Sequence, residues 1–317
     1  MRAATIVEGA IEIREHADPV PGPGQVRVKV RAAGLNAADL LQRAGLYPAP
    51  PGAPADIPGM ELAGTVETNG PGSERFSPGD PVMGVVGGGA QAELALVHER
   101  ELMPVPPGVG WAEAGGLPEA FLTAHDALFT QCGLGMGERA CVHGGAGGVG
   151  TAGVQLASAV GASVVATVRN PDLRPLVAGL GPGVMAVDPD ETVSRGPYDV
   201  VLELIGAPNM EANLEALAMG GRIAVIGVGA GAVASLNLFA LMGKRARIHG
   251  STLRTRPLED KAAAARALER HALPLFDSGR LTVPVAATFS LSEAGAAYER
   301  FAAGAKFGKV VIVMEDG

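Results

Sequence analysis

The residues with the most specific chemistry form a glycine-rich stretch in the middle of the chain, His143-Gly144-Gly145-Ala146-Gly147-Gly148-Val149-Gly150. Its glycines at 145, 147 and 150 have the spacing G-x-G-x-x-G. In a dinucleotide site the first glycine permits a sharp turn, the second lets the backbone approach a pyrophosphate, and the third lets a helix pack closely on a strand. The free N–H groups at the start of that helix attract phosphate. Residues Gly145 to Gly150 are therefore predicted to bind the diphosphate of a dinucleotide.

The segments around this stretch have the periodicity that such a site requires. A short strand is predicted at 139–143, a helix at 149–160 and a β-branched strand at 163–168. A chain with 46 glycines produces chance matches to the motif, so the spacing alone is weak. The order strand, turn, helix, strand is what favours a dinucleotide site over a plain glycine-rich turn.

The end of the strand at 163–168 indicates which dinucleotide binds. NAD sites place Asp or Glu there, where it binds the ribose 2′-hydroxyl. No acidic residue lies between Val160 and Pro171, and Arg169-Asn170 follows the strand. Because a guanidinium suits a 2′-phosphate through bidentate hydrogen bonds, NADPH is predicted in preference to NADH. The alternative is that Arg169 is an ordinary solvent-facing arginine.

The elements that must position these residues fall into three parts. The first third has alternating strands and a loop, 47–58, that holds five prolines and must be irregular. The middle third alternates strands with helices, which predicts a parallel sheet covered on both faces. The predicted strands are 25–31, 62–67, 81–86, 139–143, 163–168, 184–187, 198–204, 222–226, 245–250, 285–289 and 309–314. The predicted helices are 149–160, 173–180, 209–218, 258–278 and 292–303.

Composition excludes several classes of protein. The 317 residues suit two domains, and 47% hydrophobic with 18% charged residues excludes disorder. A net charge of −8 without a basic cluster excludes nucleic-acid binding. No signal peptide or membrane-spanning run is evident, and the two cysteines, Cys132 and Cys141, are too few for a disulfide framework or a four-thiolate zinc site. A soluble, cytoplasmic protein is expected.

Stretches spread over the whole chain match a known family. They are Gly34-Leu35-Asn36-Ala37-Ala38-Asp39-Leu40, Gln42-Arg43-Ala44-Gly45-Leu46-Tyr47-Pro48, Pro58-Gly59-Met60-Glu61-Leu62-Ala63-Gly64, Gly87-Gly88-Gly89-Ala90-Gln91-Ala92-Glu93, Leu117-Pro118-Glu119-Ala120-Phe121-Leu122-Thr123-Ala124, the glycine-rich turn, and Phe307-Gly308-Lys309-Val310-Val311. With them the sequence resembles the zinc-free quinone oxidoreductase branch of the medium-chain dehydrogenase/reductase superfamily, which includes zeta-crystallin. Its likeness is greatest to the tumour-suppressor-inducible quinone oxidoreductases.

The resemblance implies an α/β fold of two domains. Residues 1–115 and 250–317 would form a GroES-like, mostly β catalytic domain, and residues 116–249 a Rossmann domain with a doubly wound parallel sheet. The family likeness also implies a homodimer, formed through edge strands of the Rossmann sheets.

The resemblance assigns catalytic roles to Asn36, Tyr47 and Thr123, because the matching residues of relatives lie beside the nicotinamide and the substrate. The Asn36 amide can hydrogen-bond a carboxamide or a water, and Tyr47 can give a proton to an oxygen that gains negative charge. Each has a structural alternative. Asn36 would fix a loop, Tyr47 would pack the proline-rich loop, and Thr123 would cap or pack within its helix.

The resemblance also extends the cofactor site beyond the glycine-rich turn. The added residues are Thr167, Arg169, Gly227, Val228, Lys244, Ser251, Leu253 and Phe307. Many relatives carry Lys where Asp172 stands, and some carry Tyr where Pro189 stands; both usually help to hold the 2′-phosphate. Arg169, Arg174 or Lys244 must then replace them, or the preference for NADPH weakens.

No metal site is predicted. Zinc-dependent relatives carry Cys at the position of Asn36 and His at the position of Met60, and neither Asn nor Met is a ligand that zinc prefers. The expected activity is zinc-independent, NADPH-dependent hydride transfer to a quinone or another conjugated carbonyl such as an enone. The alternatives are reduction of an enoyl thioester or an alkenal, and an NADPH-binding protein whose main role is not catalysis. The expected partner is a small molecule, with no nucleic acid and no membrane.

Overall fold

A computed structural model describes residues 1–315 of the chain, which form two compact units. The first unit contains Met1–Leu122, Leu253–Gly304 and residues 309–315, and the second contains Thr123–Thr252 and Ala305–Gly308. The divisions predicted after residues 115 and 249 lie a few residues earlier in the chain. The predicted catalytic domain also included 305–308, which the structure assigns to the second unit.

Fifteen strands are described within residues 1–315. They are β1 (Arg2–Val7), β2 (Ala10–Glu15), β3 (Gln25–Gly34), β4 (Glu61–Asn69), β5 (Pro81–Val85), β6 (Leu94–His98), β7 (Leu102–Pro104), β8 (Arg139–Val142), β9 (Ser163–Thr167), β10 (Val184–Val187), β11 (Tyr198–Glu203), β12 (Leu217–Val225), β13 (Arg247–Gly250), β14 (Val285–Ser290) and β15 (Lys309–Val313).

Ten α-helices are described over the same residues. They are α1 (Ala37–Arg43), α2 (Trp111–Gly116), α3 (Pro118–His125), α4 (Gly148–Ala159), α5 (Arg174–Ala178), α6 (Met210–Ala216), α7 (Leu238–Lys244), α8 (Leu258–His271), α9 (Leu273–Asp277) and α10 (Ala294–Ala302). Helix α3 continues into a wider helical segment of the π type, Asp126–Gln131. None of the described helices is both long and apolar enough to cross a membrane.

The first unit is built on a seven-stranded, mainly antiparallel sheet with the order β14-β15-β3-β4-β5-β7, in which β6 also pairs with β3. The alternation predicted for the first long strand is confirmed. Val26, Val28 and Val30 of β3 are buried, because successive side chains of a strand point to opposite faces. Tyr298 of α10 is completely buried in the same core. Strand β3 therefore forms the rigid centre from which the loop at Asn36 emerges.

The second unit is built on a six-stranded parallel sheet with the order β10-β9-β8-β11-β12-β13. Counted within this unit the order is third, second, first, fourth, fifth and sixth, which is that of the doubly wound Rossmann fold. The predicted α/β fold class is therefore confirmed. The strand order reverses between β8 and β11, and ligands of such sheets bind at the carboxyl ends of the strands at this point.

Several predicted elements differ from those in the structure. The long helix predicted at 258–278 is interrupted, because α8 ends at His271 and α9 begins at Leu273. Pro274 in the first turn of α9 lacks the N–H that a continuous helix needs and would clash with the preceding turn. The strand predicted at 222–226 begins earlier, at Leu217. Strands β1, β2, β6 and β7 and helices α1, α2 and α7 were not predicted from the sequence; they are short, and tertiary packing stabilises such elements more than local propensity does.

Candidate functional site

The glycine-rich turn joins β8 to α4 at the point where the strand order reverses. Its glycines at 145 and 150 are required by the packing of the protein itself. A Cβ on Gly150 would lie 2.2 Å from the carbonyl oxygen of Gly144, and one on Gly145 would lie 2.9 Å from the Cβ of Ala166 in β9. At Gly147 a Cβ would make only ordinary contact, 3.4 Å from the Gly144 oxygen. The packing of the described protein atoms therefore does not require glycine at 147. The close approach of a ligand to the backbone would require it.

Residues 305–308 belong to this turn and not to the strand that follows them. The N–H of Gly308 donates to the carbonyl oxygen of Ala146 at 2.8 Å, and Gly147 and Gly308 form an isolated parallel bridge. Phe307, a predicted cofactor residue, is thereby placed beside the turn and is half-buried. Gly308 adopts a φ of +87°, a conformation that favours glycine.

A buried polar network lies directly beneath the turn. His143 Nε2 lies 2.6 Å from Asn213 Oδ1, and His143 Nδ1 lies 3.0 Å from Thr167 Oγ1. Because Asn213 Nδ2 donates to Glu203 Oε2 at 2.6 Å, its Oδ1 must accept, and Nε2 of His143 carries the hydrogen. Nδ1 pairs with the Thr167 hydroxyl. These four side chains are almost inaccessible to solvent, so the network fixes the orientation of the His143 ring.

The carboxylate of Glu203 organises the neighbouring strand exit. Its Oε1 accepts from the backbone N–H groups of Ile205 at 2.6 Å and Gly206 at 2.8 Å. The conformation of Gly206, with φ +116°, brings its Cα side so close to the next loop that a Cβ would lie 2.5 Å from the oxygen of Gly231. The side chain of Ile205 lies over Gly144. The network thus ties together the exits of β8, β9 and β11, and the close approach of Gly206 to Gly231 adds the loop after β12.

Three of the residues predicted to bind the cofactor, Gly227, Val228 and Ser251, follow the last two strands of the parallel sheet. A Cβ on Gly227 would lie 2.3 Å from the oxygen of Leu204, so glycine is needed there, and Val228 beside it is exposed. Ser251 Oγ lies 3.4 Å from the buried carboxylate of Asp126. Leu253 belongs to the first unit, and the hydroxyl of Thr167 is used by the network.

Three basic side chains were candidates for the 2′-phosphate, and two of them are occupied. Arg174 donates through Nε to the oxygen of Val168 at 3.0 Å and pairs with Asp188 at 2.5 Å. Lys244 donates to the carbonyl oxygens of Glu215 at 2.5 Å and Leu217 at 2.6 Å, at the end of α6, which does not favour its predicted cofactor role. Arg169 is exposed and has neither an ion pair nor a hydrogen bond to any described residue. Its guanidinium is therefore the one of the three that remains open.

In the first unit, Asn36 is held by a buried ion pair. The ammonium of Lys309 lies 2.6 Å from Glu61 Oε1 and 2.6 Å from Asn36 Oδ1, and it also donates to the oxygen of Leu35 at 2.9 Å. Asn36 Nδ2 donates to the same oxygen of Glu61 at 3.0 Å. The second carboxylate oxygen of Glu61 accepts from the N–H of Glu119 at 2.8 Å. The amide predicted to meet the nicotinamide therefore has internal partners for both its oxygen and its nitrogen, which is the loop-fixing arrangement.

Asp39 completes this loop from the first turn of α1. One carboxylate oxygen accepts from the N–H of Asn36 at 2.8 Å and the other from the N–H of Gly59 at 3.1 Å. Its complete burial is the main effect and raises the pKa of Asp39 from 3.8 to about 6, while the backbone hydrogen bonds and Lys309 act in the opposite direction. Asp39 thus links two loops of the unit that are distant in sequence.

Tyr47 begins the proline-rich loop and is half-buried. Its aromatic ring lies under the guanidinium of Arg254, 5.1 Å from the ring centroid, and its backbone oxygen accepts from the same group at 3.3 Å. Thr123 is buried on α3, at the start of the second unit. The structure therefore gathers Asn36 and Tyr47 within one unit and the dinucleotide turn with Thr123 within the other.

Comparison with known proteins is consistent with this arrangement of two units. Residues 22–107 match the family described as "Alcohol dehydrogenase GroES-like domain", and residues 161–312 match that described as "Zinc-binding dehydrogenase". A quinone oxidoreductase of Pseudomonas aeruginosa is 32% identical over 316 residues, which cover 96% of this chain and 95% of that protein. The chain belongs to the quinone oxidoreductase family of the medium-chain dehydrogenases/reductases.

Two further proteins are similar to this chain, one by structure and one by sequence. A mycobacterial protein solved as a complex with NADPH superimposes with a TM-score of 0.85 at 28% identity, covering 99% of both chains. The polyketide synthase protein NorB of Streptomyces orinoci is 34% identical over 310 residues, although the chain spans only 13% of its length. The protein is an oxidoreductase, and its GroES-like and Rossmann parts are those that the sequence predicted.

Sequence reasoning missed the residues that hold the quinone oxidoreductase scaffold at both sites. Lys309 and Glu61 lie in stretches that match the family but have no predicted role, and no role is predicted for Glu203, Asn213 or Arg254. Glu61, Glu203 and Lys309 are charged residues inside otherwise apolar or glycine-rich segments, whereas Asn213 and Arg254 lie in polar segments. The first of these patterns is a signal for a buried polar group, since such groups are rarely buried without a partner. It does not identify the partner.

The buried carboxyl of Asp39 predicts a specific pH dependence of stability. Because its folded pKa lies above 3.8, the folded chain binds its proton more tightly than the unfolded chain does. The free energy of unfolding therefore falls as pH rises from about 4 to about 6, by roughly 3 kcal/mol from this group alone. Relative to wild type, Asp39→Asn should become more stable by that amount between pH 4 and pH 7 in urea unfolding.

Asp18 provides the opposite control. A hydrogen bond from the N-terminal amine lowers the pKa of Asp18, so Asp18→Asn should lose stability relative to wild type as pH rises over the acid range. Equal pH dependence in wild type and Asp39→Asn would show that Asp39 titrates alike in the folded and unfolded chains.

Proposed function

We propose that this oxidoreductase is a zinc-independent, NADPH-dependent reductase that transfers hydride to a quinone or another conjugated carbonyl. The observation that carries the proposal is the glycine-rich turn at the reversal point of a Rossmann sheet, in a chain that aligns with a quinone oxidoreductase over almost its full length. The residues present fit the cofactor, because Gly147 leaves space at the turn and Arg169 offers an open guanidinium. The turn would hold the diphosphate and Arg169 the 2′-phosphate.

The protein's own contribution is positioning and proton supply. NADPH, when bound, supplies the hydride. The hydroxyl of Tyr47 gives a proton to the substrate oxygen that becomes negative, and the fixed amide of Asn36 keeps the facing loop in place. A thiol nucleophile plays no part, since burial raises the pKa of Cys132 to about 11 and raises that of Cys141 further.

Zinc does not fit the residues at the position where zinc-dependent relatives bind it. Asn36 Oδ1 and Glu61 Oε1 both face the ammonium of Lys309 at 2.6 Å, so the available oxygens are already paired with a cation. Met60 offers a thioether, which is a poor zinc ligand. No step of the proposed reaction uses a metal.

The match to a polyketide synthase protein favours a second candidate, reduction of an enoyl thioester, with alkenal reduction as its counterpart on a free substrate. Hydride and proton addition to a conjugated double bond uses the same cofactor and the same proton donor. The two candidates therefore differ in substrate and not in machinery. The third candidate is a protein that binds NADPH without catalysis. It would show no turnover with any of these substrates.

The main test is oxidation of NADPH by the pure enzyme with small quinones, enones and an enoyl thioester. Tyr47→Phe should lower kcat by roughly 10²- to 10⁴-fold while leaving the Kd for NADPH unchanged, because only the transferable proton is lost. Turnover of none of these substrates despite tight NADPH binding would favour the non-catalytic candidate. A preference for the thioester would favour the second.

The preference for NADPH depends on Arg169. Replacing it by alanine should weaken NADPH binding by about 10- to 100-fold, since one charge-assisted pair with the 2′-phosphate is lost, and should leave NADH binding unchanged. Isothermal titration with both cofactors measures this. Arg195→Ala is the matched control, because that arginine is already paired with Glu191 at 2.7 Å. An equal effect on NADH would remove Arg169 from the 2′-phosphate site.

The protein is further proposed to form a homodimer through the second unit. Strand β13 is the last strand of its sheet, and Val233 and Phe239, which precede it in the sequence, are 91% and 86% exposed. Two copies that pair β13 antiparallel about a two-fold axis would cover the strand edge and this apolar surface. Sedimentation should give twice 32.0 kDa for wild type and 32.0 kDa for Phe239→Arg, whereas Met136→Arg, at an equally exposed methionine, should stay dimeric. A monomeric wild type would refute the dimer.

A further inference from the structure

Arg254 is a buried cation in the first unit whose partners all belong to the Tyr47 region. It is only 3% exposed. Its Nε donates to the oxygen of Gly87 at 2.8 Å, one terminal nitrogen donates to the oxygen of Tyr47 at 3.3 Å, and the other donates to Oε1 of Gln42 at 2.5 Å. The guanidinium carbon lies 5.1 Å from the centroid of the Tyr47 ring. The Arg254 side chain thus contacts the Tyr47 ring, the Tyr47 backbone, and the segments that contain Gln42 and Gly87.

These contacts matter because little else fixes Tyr47. It follows the end of α1 and starts the proline-rich loop, and no regular helix or strand is described between α1 and β4. Its N–H reaches the oxygen of Leu41 at only 3.3 Å. Gln42 in turn donates to the oxygen of Ala55 at 3.3 Å. Arg254 and Gln42 together therefore tie both ends of the loop to α1.

A side chain that only tethers the loop would not need the positive charge of Arg254. All three of its described hydrogen-bond acceptors are neutral oxygens, and it forms no ion pair with a described carboxylate. Burial lowers the pKa of Arg254, with the charge of Asp39 acting in the opposite direction. A buried guanidinium without a bonded carboxylate is costly, and a neutral side chain would serve a purely structural tether better. The face of an aromatic ring compensates part of this cost.

We propose that Arg254 is the positioning residue for Tyr47: its planar fork fixes the phenol, and its positive charge stabilises the negative charge that the phenol acquires as its proton leaves. The proposal rests on the proposed function, in which Tyr47 is the proton donor. Bound NADPH would supply the hydride. As a π bond of the conjugated carbonyl opens and its electron pair moves to the substrate oxygen, the Tyr47 O–H bond breaks while the substrate O–H bond forms, and a proton from solvent then returns to Tyr47. Lysine cannot reproduce the planar fork, although it keeps the charge.

A double-mutant cycle tests the proposal on the full-length enzyme with a quinone substrate. The proteins are wild type, Arg254→Met, Tyr47→Phe and the double variant, because Tyr47→Phe keeps the ring and removes only the hydroxyl. Arg254→Met should lower kcat about 10- to 100-fold with little change in KM or NADPH affinity. In the Tyr47→Phe background the same substitution should change kcat less than about 3-fold. The solvent deuterium isotope effect on kcat should rise in Arg254→Met alone, since proton transfer becomes slower.

Two further variants separate positioning from folding. Arg254→Lys should recover part of the lost kcat, because the charge returns without the fork. Arg75→Met is the matched control, since Arg75 stacks on Phe76 at 5.0 Å in the same unit, and it should leave kcat unchanged. If Arg254→Met does not fold, the cycle is run with Arg254→Lys and the same non-additivity is expected.

The outcomes distinguish failure of this proposal from failure of the proposed function. Equal losses of kcat with and without the Tyr47 hydroxyl would overturn the role of Arg254 while leaving Tyr47 as the donor. A loss confined to KM or to NADPH binding would do the same. An unchanged kcat in Tyr47→Phe would overturn the assignment of the proton donor, and with it the role of Arg254.

Discussion

The contact between Lys309 and Glu61 holds together the loops around Asn36 in the first unit. Both groups are almost completely buried, and each oxygen of the carboxylate has a partner, the ammonium with the Asn36 amide on one side and the N–H of Glu119 on the other. Breaking one member of such a pair leaves an uncompensated buried charge, at a cost of about 3 to 5 kcal/mol. This pair therefore fixes the relative positions of four elements: strands β15 and β4, the start of α3 and the loop before α1. The pair also fixes the orientation of Asn36.

The second unit applies the same principle at its own strand ends. Glu203 stands where β11 ends, and its two oxygens bind two backbone N–H groups and the amide of Asn213, which in turn fixes His143 below the glycine-rich turn. In both units an acidic side chain placed at or beside a strand end turns an irregular loop into a defined one. The chemistry proposed for the enzyme then needs few reacting groups, because the loops that carry them are already ordered.

Features that follow from a local sequence pattern could be predicted, whereas the buried contacts between residues distant in sequence could not. The alternation of β3, the βαβ order around Gly145 to Gly150 and the parallel sheet follow from local periodicity and glycine spacing, while the Rossmann fold follows from the family resemblance. The ion pair of Lys309 with Glu61 does not, because its members are far apart in sequence and either could have been satisfied elsewhere. Lys244 illustrates the limit: the resemblance made it a candidate phosphate ligand, but α6 ends beside it and its ammonium donates to the carbonyl oxygens there. Arg254 carried no local signal at all.

The division of the chain at Gly308 has a consequence for folding. Residues 305–308 complete the turn of the second unit, and the strand that starts at the next residue completes the central sheet of the first. Both segments therefore pair with partners far away in the sequence, the turn at Gly147 and strand β3. Because contacts of long sequence separation close large loops, the completion of each unit is expected to be a slow step of folding.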